Sequence, residues 1–127
     1  MRRAAADDDA AWRAEFGAGR DETGLECEAN VFRYRPTSVL VRVGADAAPA
    51  DLARVLVAAH RAGTAPQVSV SPASSSAVAQ VLDLATRHLG VAVTDRGDDA
   101  AFATSIGSLR QHRVRLVGSV DDEVRVA

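Results

Sequence analysis

The stretch "SVLVRVGADAAPADLARVLVAAHRAGTAPQVSVS", Ser38 to Ser71, decides the fold. It opens on "SVLVRVG", a short Val-rich run that stops at Gly44 and reads as a strand. "PADLARVLVAAHRAG" follows. Pro49 sits in its first turn and Gly63 closes it, the usual asymmetry of helix ends. Leu52, Val55, Leu56 and Ala59 recur at helical spacing and form its apolar stripe. "QVSVS" is a second strand. A strand, a helix and a strand of these lengths imply parallel pairing through a right-handed crossover.

The pattern repeats downstream. "SSSAVAQVLDLATRHLG" reads as a serine-capped helix with Val78, Val81, Leu82, Ala85 and Leu89 inward. "VAVTD" is a third strand. "DDAAFATSIGSL" is a third helix, capped by Asp98, with Phe102, Ile106 and Leu109 inward. "RVRLVG" is a fourth strand, and "DDEVRVA" looks like the opening of a helix that does not develop, as in a truncated domain or a fragment. The expected architecture is α/β: a Rossmann-like open parallel sheet of about four strands with flanking helices. Residues 37–127 form that domain, and residues 1–36 precede it as an N-terminal helix and an extended arm.

The leading segment differs in character. Trp12 and Phe16 lie one helical turn apart, so "DDDAAWRAEFG" reads as a short helix capped by an Asp and ended by Gly17. "GAGRDETG" is a loop by composition. "ANVFRYRP" alternates, with Phe32 and Tyr34 on one side and Val31, Arg33 and Arg35 on the other, until Pro36 stops it.

Composition narrows the function. The chain has 127 residues, 47% of them apolar and 25% charged, as in a globular protein. All fifteen basic residues are Arg, which reads as the codon bias of a GC-rich genome. A net charge of −2 gives nucleic-acid binding no electrostatic footprint. One cysteine excludes a disulfide framework and paired-cysteine zinc sites. No run is apolar enough to span a membrane, and Asp7 to Asp9 interrupt any signal-peptide core. The expected location is the cytoplasm.

Catalytic candidates are few. Cys27 stands between Glu26 and Glu28, which disfavour a thiolate. His60 and His88 fall in the last turns of helices, where a cation suits the dipole, and His112 precedes a strand. No catalytic residue and no metal site follows from these patterns. The turn "GADAAPAD" lacks the dinucleotide glycine fingerprint and carries Asp46 and Asp51 where phosphate would lie. The turn around Ser71 to Ser76 offers hydroxyls and free amides at a helix start, which either hold an anion or cap the helix. Gly118-Ser119 is a second turn that could face a ligand.

Taken whole, "AWRAEFGAGRDETGLECEANVFRYRP", Ala11 to Pro36, resembles a segment near the C-terminal end of actinobacterial L-glutamate γ-semialdehyde (1-pyrroline-5-carboxylate) dehydrogenases, relatives of the bifunctional proline utilization A enzymes. "GLECEANVFRYRP" is similar to the linker that follows their catalytic aldehyde dehydrogenase domain. The resemblance implies a non-catalytic accessory domain of proline catabolism with a role in structure or assembly. Ser71-Pro72-Ala73-Ser74 matches the superfamily's Lys-Pro-Ser-Glu turn, with the two ribose-holding groups replaced by Ser71 and Ser74. Leu116-Val117-Gly118-Ser119 matches its Phe-Thr-Gly-Ser turn in the last two residues only. The parent family uses NAD; for this chain the resemblance implies no bound cofactor, with Ser71, Pro72, Ser74, Gly118 and Ser119 as remnants of the site.

The implied partner is the catalytic dehydrogenase domain or a second copy of the chain. Phe32 and Tyr34 would be apolar anchors, and Arg33 and Arg35 the rim; an arm folded back on its own sheet is an equal alternative. Two other readings stay open: a nucleotide- or anion-binding module at the carboxyl edge of the sheet, and part of an active NAD-dependent dehydrogenase.

Overall fold

The computed structural model describes residues 2–21, 23–24, 31–106 and 113–126. Cys27, with Glu26 and Glu28, lies outside the described residues, as do Leu109 and His112. The chain forms two compact units, residues 1–36 and 37–127.

In the first unit, helix α1 spans Arg2–Ala11 and runs into one π-helical turn, Trp12–Phe16. Gly17 ends it by donating its amide to the Trp12 carbonyl at 2.7 Å. The expected Asp cap is not there. Ala4, Ala5 and Ala6 are strong helix formers and carry the helix back past the aspartates, so Asp7 to Asp9 lie inside it. Strands β1 (Arg20–Asp21) and β2 (Val31–Phe32) make a two-residue antiparallel ladder. None of the unit's described side chains is buried.

The second unit is the Rossmann-like sheet. Strands β3 (Val39–Val43), β4 (Gln67–Val70), β5 (Ala92–Asp95) and β6 (Arg113–Val117) are all parallel, in the order β5-β4-β3-β6. Helix α2 spans Pro49–Arg61, α3 Ser76–Leu89, α4 Asp99–Ile106 and α5 Asp122–Val126. Both crossovers that lead outward from β3 to β5 use one face of the sheet, so α2 and α3 pack side by side. The return to β6 uses the other face and puts α4 beside α5. The result is three layers, helices on both sides of a parallel sheet.

Strand alternation divides the core. Val41, Val43, Val68 and Val70 point toward α2 and α3 and meet Leu52, Leu56, Val78, Leu82 and Ala85. Leu40 points the opposite way, onto Phe102 and Val124. Each of these valine, leucine and phenylalanine side chains, fully buried, contributes about 1.5–3 kcal/mol of transfer free energy. The helix ends carry the chemistry their positions require. Ser75 caps α3 by accepting the Val78 amide at 3.3 Å, and Gly90 ends it with φ of 68°. Asp98 accepts the Ala101 amide at the start of α4.

Candidate functional site

In an open α/β sheet, ligands bind beyond the carboxyl ends of the strands, where the strand order reverses. That point lies between β3 and β6. Here the chain itself fills it. The Asp46 carboxylate accepts the Ser119 amide at 2.6 Å and the Ser119 hydroxyl at 2.8 Å. The Gly44 amide donates to the Val117 carbonyl at 2.8 Å. The two turns touch so closely that a Cβ on Gly44 would lie 2.0 Å from the Ser119 carbonyl oxygen. Gly118 has φ of 84°, and a Cβ there would meet Asp46 and the Ala47 amide inside 3 Å. The Ser119 amide and hydroxyl, which could receive a phosphate, are therefore spent on a carboxylate. Those two bonds, the amide first, hold the Asp46 carboxyl below its ordinary range.

The other expected turn follows β4. The Ser71 amide donates to the Val43 carbonyl at 2.9 Å, and its hydroxyl accepts the Ala73 amide. The Ser74 amide is taken by the Ser71 carbonyl. Pro72 is exposed. The Ser71 and Ser75 hydroxyls thus accept amides of their own turn and helix start, as capping serines do. Ser71 and Ser119 sit at the ends of β4 and β6, on either side of β3, as a flanking pair would.

A polar constellation escaped the sequence reading. Register pairs Leu116 with Arg42, Arg42 with Ser69, and Ser69 with Asp95, one row across all four strands. Asp95 joins the row because the β4–β5 ladder slips between Val68 and Ser69, skipping Thr94 and turning Asp95 onto this face. Arg42 is fully buried. Its Nε and Nη2 donate to Asp99 Oδ1 at 2.9 and 2.6 Å, Nη2 also to the Gly97 carbonyl, and Nη1 to Ser69 Oγ at 2.8 Å. The Ser69 hydroxyl in turn donates to Asp95 Oδ2 at 2.9 Å. Phe102 lies under the guanidinium, 5.0 Å from ring centroid to Cζ.

The other oxygen of Asp99 accepts the Asp121 amide at 2.8 Å. Burial, the largest effect, pushes the Asp99 carboxyl up; the Asp121 amide and the Arg42 guanidinium together outweigh it and leave it lowered. Asp95 is lowered first by the Ser69 hydroxyl. This network ties the central strand to α4 and to the start of α5. Its chemistry is that of a buried guanidinium satisfied by a counterion and hydrogen bonds. The signal in the sequence was a polar residue inside each of two Val-rich strands, Arg42 and Ser69, at positions that parallel pairing sets side by side.

The arm is the other location. Val31, Phe32 and Tyr34 are 58%, 65% and 64% exposed. Tyr34 meets Phe16 edge to face at 5.1 Å. Glu15, Ala18, Arg20, Phe32, Arg33 and Tyr34 line an open cavity of about 460 Å³. Arg35 is exposed nearby in sequence. His60 and His88 are exposed in the last turns of α2 and α3. Among the described residues, no group of three or more His, Cys, Asp or Glu side chains could hold a metal ion, and no helix is long and apolar enough to cross a membrane.

No protein-family model, curated protein or solved structure matches the chain.

Proposed function

We propose that this chain is a non-catalytic accessory module that docks, through the arm, on the catalytic domain of a cytoplasmic glutamate-semialdehyde dehydrogenase of proline catabolism, in a structural or assembly role. The carrying observation is the exposure of Phe32 and Tyr34 beside Arg33, in a unit none of whose described side chains is buried. Aromatic and arginine side chains so presented are the usual anchors of protein interfaces. The resemblance of "GLECEANVFRYRP" to the linker of those enzymes names the partner.

The test is a binding measurement between the full chain and the catalytic domain of an actinobacterial glutamate-semialdehyde dehydrogenase. Binding that falls by roughly tenfold or more in Phe32→Ala/Tyr34→Ala supports the reading. No association, or association indifferent to both substitutions, overturns it.

The nucleotide- or anion-binding reading has the flanking position of Ser71 and Ser119 in its favour. A ligand there would have to displace Asp46 from Ser119. Melting with NAD, NADP or ATP at millimolar concentration is expected to show no shift; a rise that grows with concentration would favour this second reading. No reduction of NAD by the chain with glutamate semialdehyde is expected.

A further inference from the structure

Strand β6 has β3 on one flank and no described strand on the other. Its pairing fixes which backbone groups are left over. The Arg113 amide donates to the Ser38 carbonyl at 2.9 Å, and the Val117 carbonyl accepts the Gly44 amide. Backbone groups alternate between the two flanks of a strand. Arg113, Arg115 and Val117 therefore face β3, and Val114 and Leu116 turn their amides and carbonyls to the open flank. Such a row is a ready template for one more strand.

The side chains say what kind of strand. Arg113 and Arg115 are exposed, on the face that carries Val39 and Val41. Neither guanidinium has a partner among the described residues. On the opposite face Val114 is half-buried and Leu116 is 40% exposed. Charge on one face and apolar surface on the other call for the complementary alternation.

We propose that β6 takes up, along its free flank, an extended partner segment in which acidic and apolar residues alternate. The acids lie against Arg113 and Arg115, and the apolar side chains continue the Val114 and Leu116 face. The β6 strand of a second copy does not fit this role. Antiparallel pairing about Val114 or Arg115 would set guanidinium against guanidinium, and like charges directly opposed destabilise a pair; pairing about Leu116 would put Val117 opposite Arg115 and offer it no carboxylate. The site lies in the second unit and does not depend on the arm.

The experiment uses the full chain and a labelled peptide of alternating glutamate and valine, followed by fluorescence anisotropy and by amide hydrogen exchange. The expected result is saturable binding that weakens with salt. A peptide of equal composition with its glutamates in one block, and an alternating peptide N-methylated at every residue, should not bind. On binding, exchange slows at the Val114 and Leu116 amides and stays the same at Arg113 and Arg115, which are already bonded to β3. Arg113→Glu/Arg115→Glu should weaken binding roughly tenfold. Where that variant does not fold, the exchange pattern of the unaltered chain decides. No binding at millimolar peptide, equal binding of the blocked or N-methylated peptide, or unchanged exchange at Val114 and Leu116 overturns the proposal and leaves the two arginines as guards against edge pairing.

Discussion

Nη2 of Arg42 lies 2.6 Å from Oδ1 of Asp99, a carboxylate 57 residues further along the chain. The guanidinium is fully buried and the carboxylate side chain is 15% exposed. A pair so enclosed is weak evidence of net stabilisation, because removing both ions from water is costly. Breaking it from one side is a different matter. The remaining charge is then left in a largely enclosed site without its counterion.

Arg42→Ala is therefore expected to destabilise the second unit by about 3–5 kcal/mol. It leaves Asp99 without its counterion, takes one donor from the Ser69 oxygen and empties the space over Phe102. Urea denaturation followed by far-UV circular dichroism measures it. A loss under about 1 kcal/mol would mean that the network is not the fastening described.

Gly44→Ala tests the close approach of the two turns. A methyl group at Gly44 would lie 2.0 Å from the Ser119 carbonyl oxygen and 3.0 Å from its carbonyl carbon, both backbone atoms. The turn must move, and overpacking of this kind costs typically about 1–3 kcal/mol. Thermal melting should drop accordingly, while an alanine at Gly97, whose nearest contacts are side-chain atoms 3.2 Å away, should be tolerated better.

Acid should loosen the fold in a definite direction. Asp46, Asp95 and Asp99 all have folded-state values below the ordinary 3.8. A group held low in the folded state adds stability above its unfolded value and loses it as pH falls through the folded one. The urea midpoint should therefore be insensitive to these three groups from about pH 7 to pH 5 and fall below about pH 4. Asp46→Asn, which removes the charge that Ser119 holds, should flatten part of that fall. A midpoint that rises on acidification would contradict the assignment.

Ser75→Ala removes the side-chain acceptor of the Val78 amide. The expected cost is about 1 kcal/mol, the usual worth of a helix cap. The same measurement on Ser74→Ala should show a smaller change, since the hydrogen bond at Ser74 is made by its backbone amide.

The sheet was legible in the sequence because its signals are local. Valine alternation, Pro49 and Gly63 around α2, and serines before α3 each act within a few residues. The apolar stripe of α3 could be read for the same reason: Val78, Leu82 and Ala85 are buried and Val81 and Leu89 lie against them. The start of α1 was misread because alanine propensity outweighed the capping preference of aspartate. The Arg42 network was invisible for a deeper reason. It needs the strand order and a register slip at Val68/Ser69, and neither is written in any short stretch. Likewise, only the folded chain shows Asp46 occupying Ser119. The candidate turns could be located from sequence, but not who fills them.

The strand order also has a meaning for the nascent chain. β3 gains β4 through a short local crossover, whereas its other flank waits for β6, whose end is fixed by a contact 73 residues from Asp46. Contacts so distant in sequence form late. Until they do, "VLVRV" is a β-prone apolar segment with one side open, the kind of sequence that aggregates. The charge of Arg42 interrupts it at its centre. Arg42, the most enclosed cation among the described residues, is thus also the single charge within its own strand.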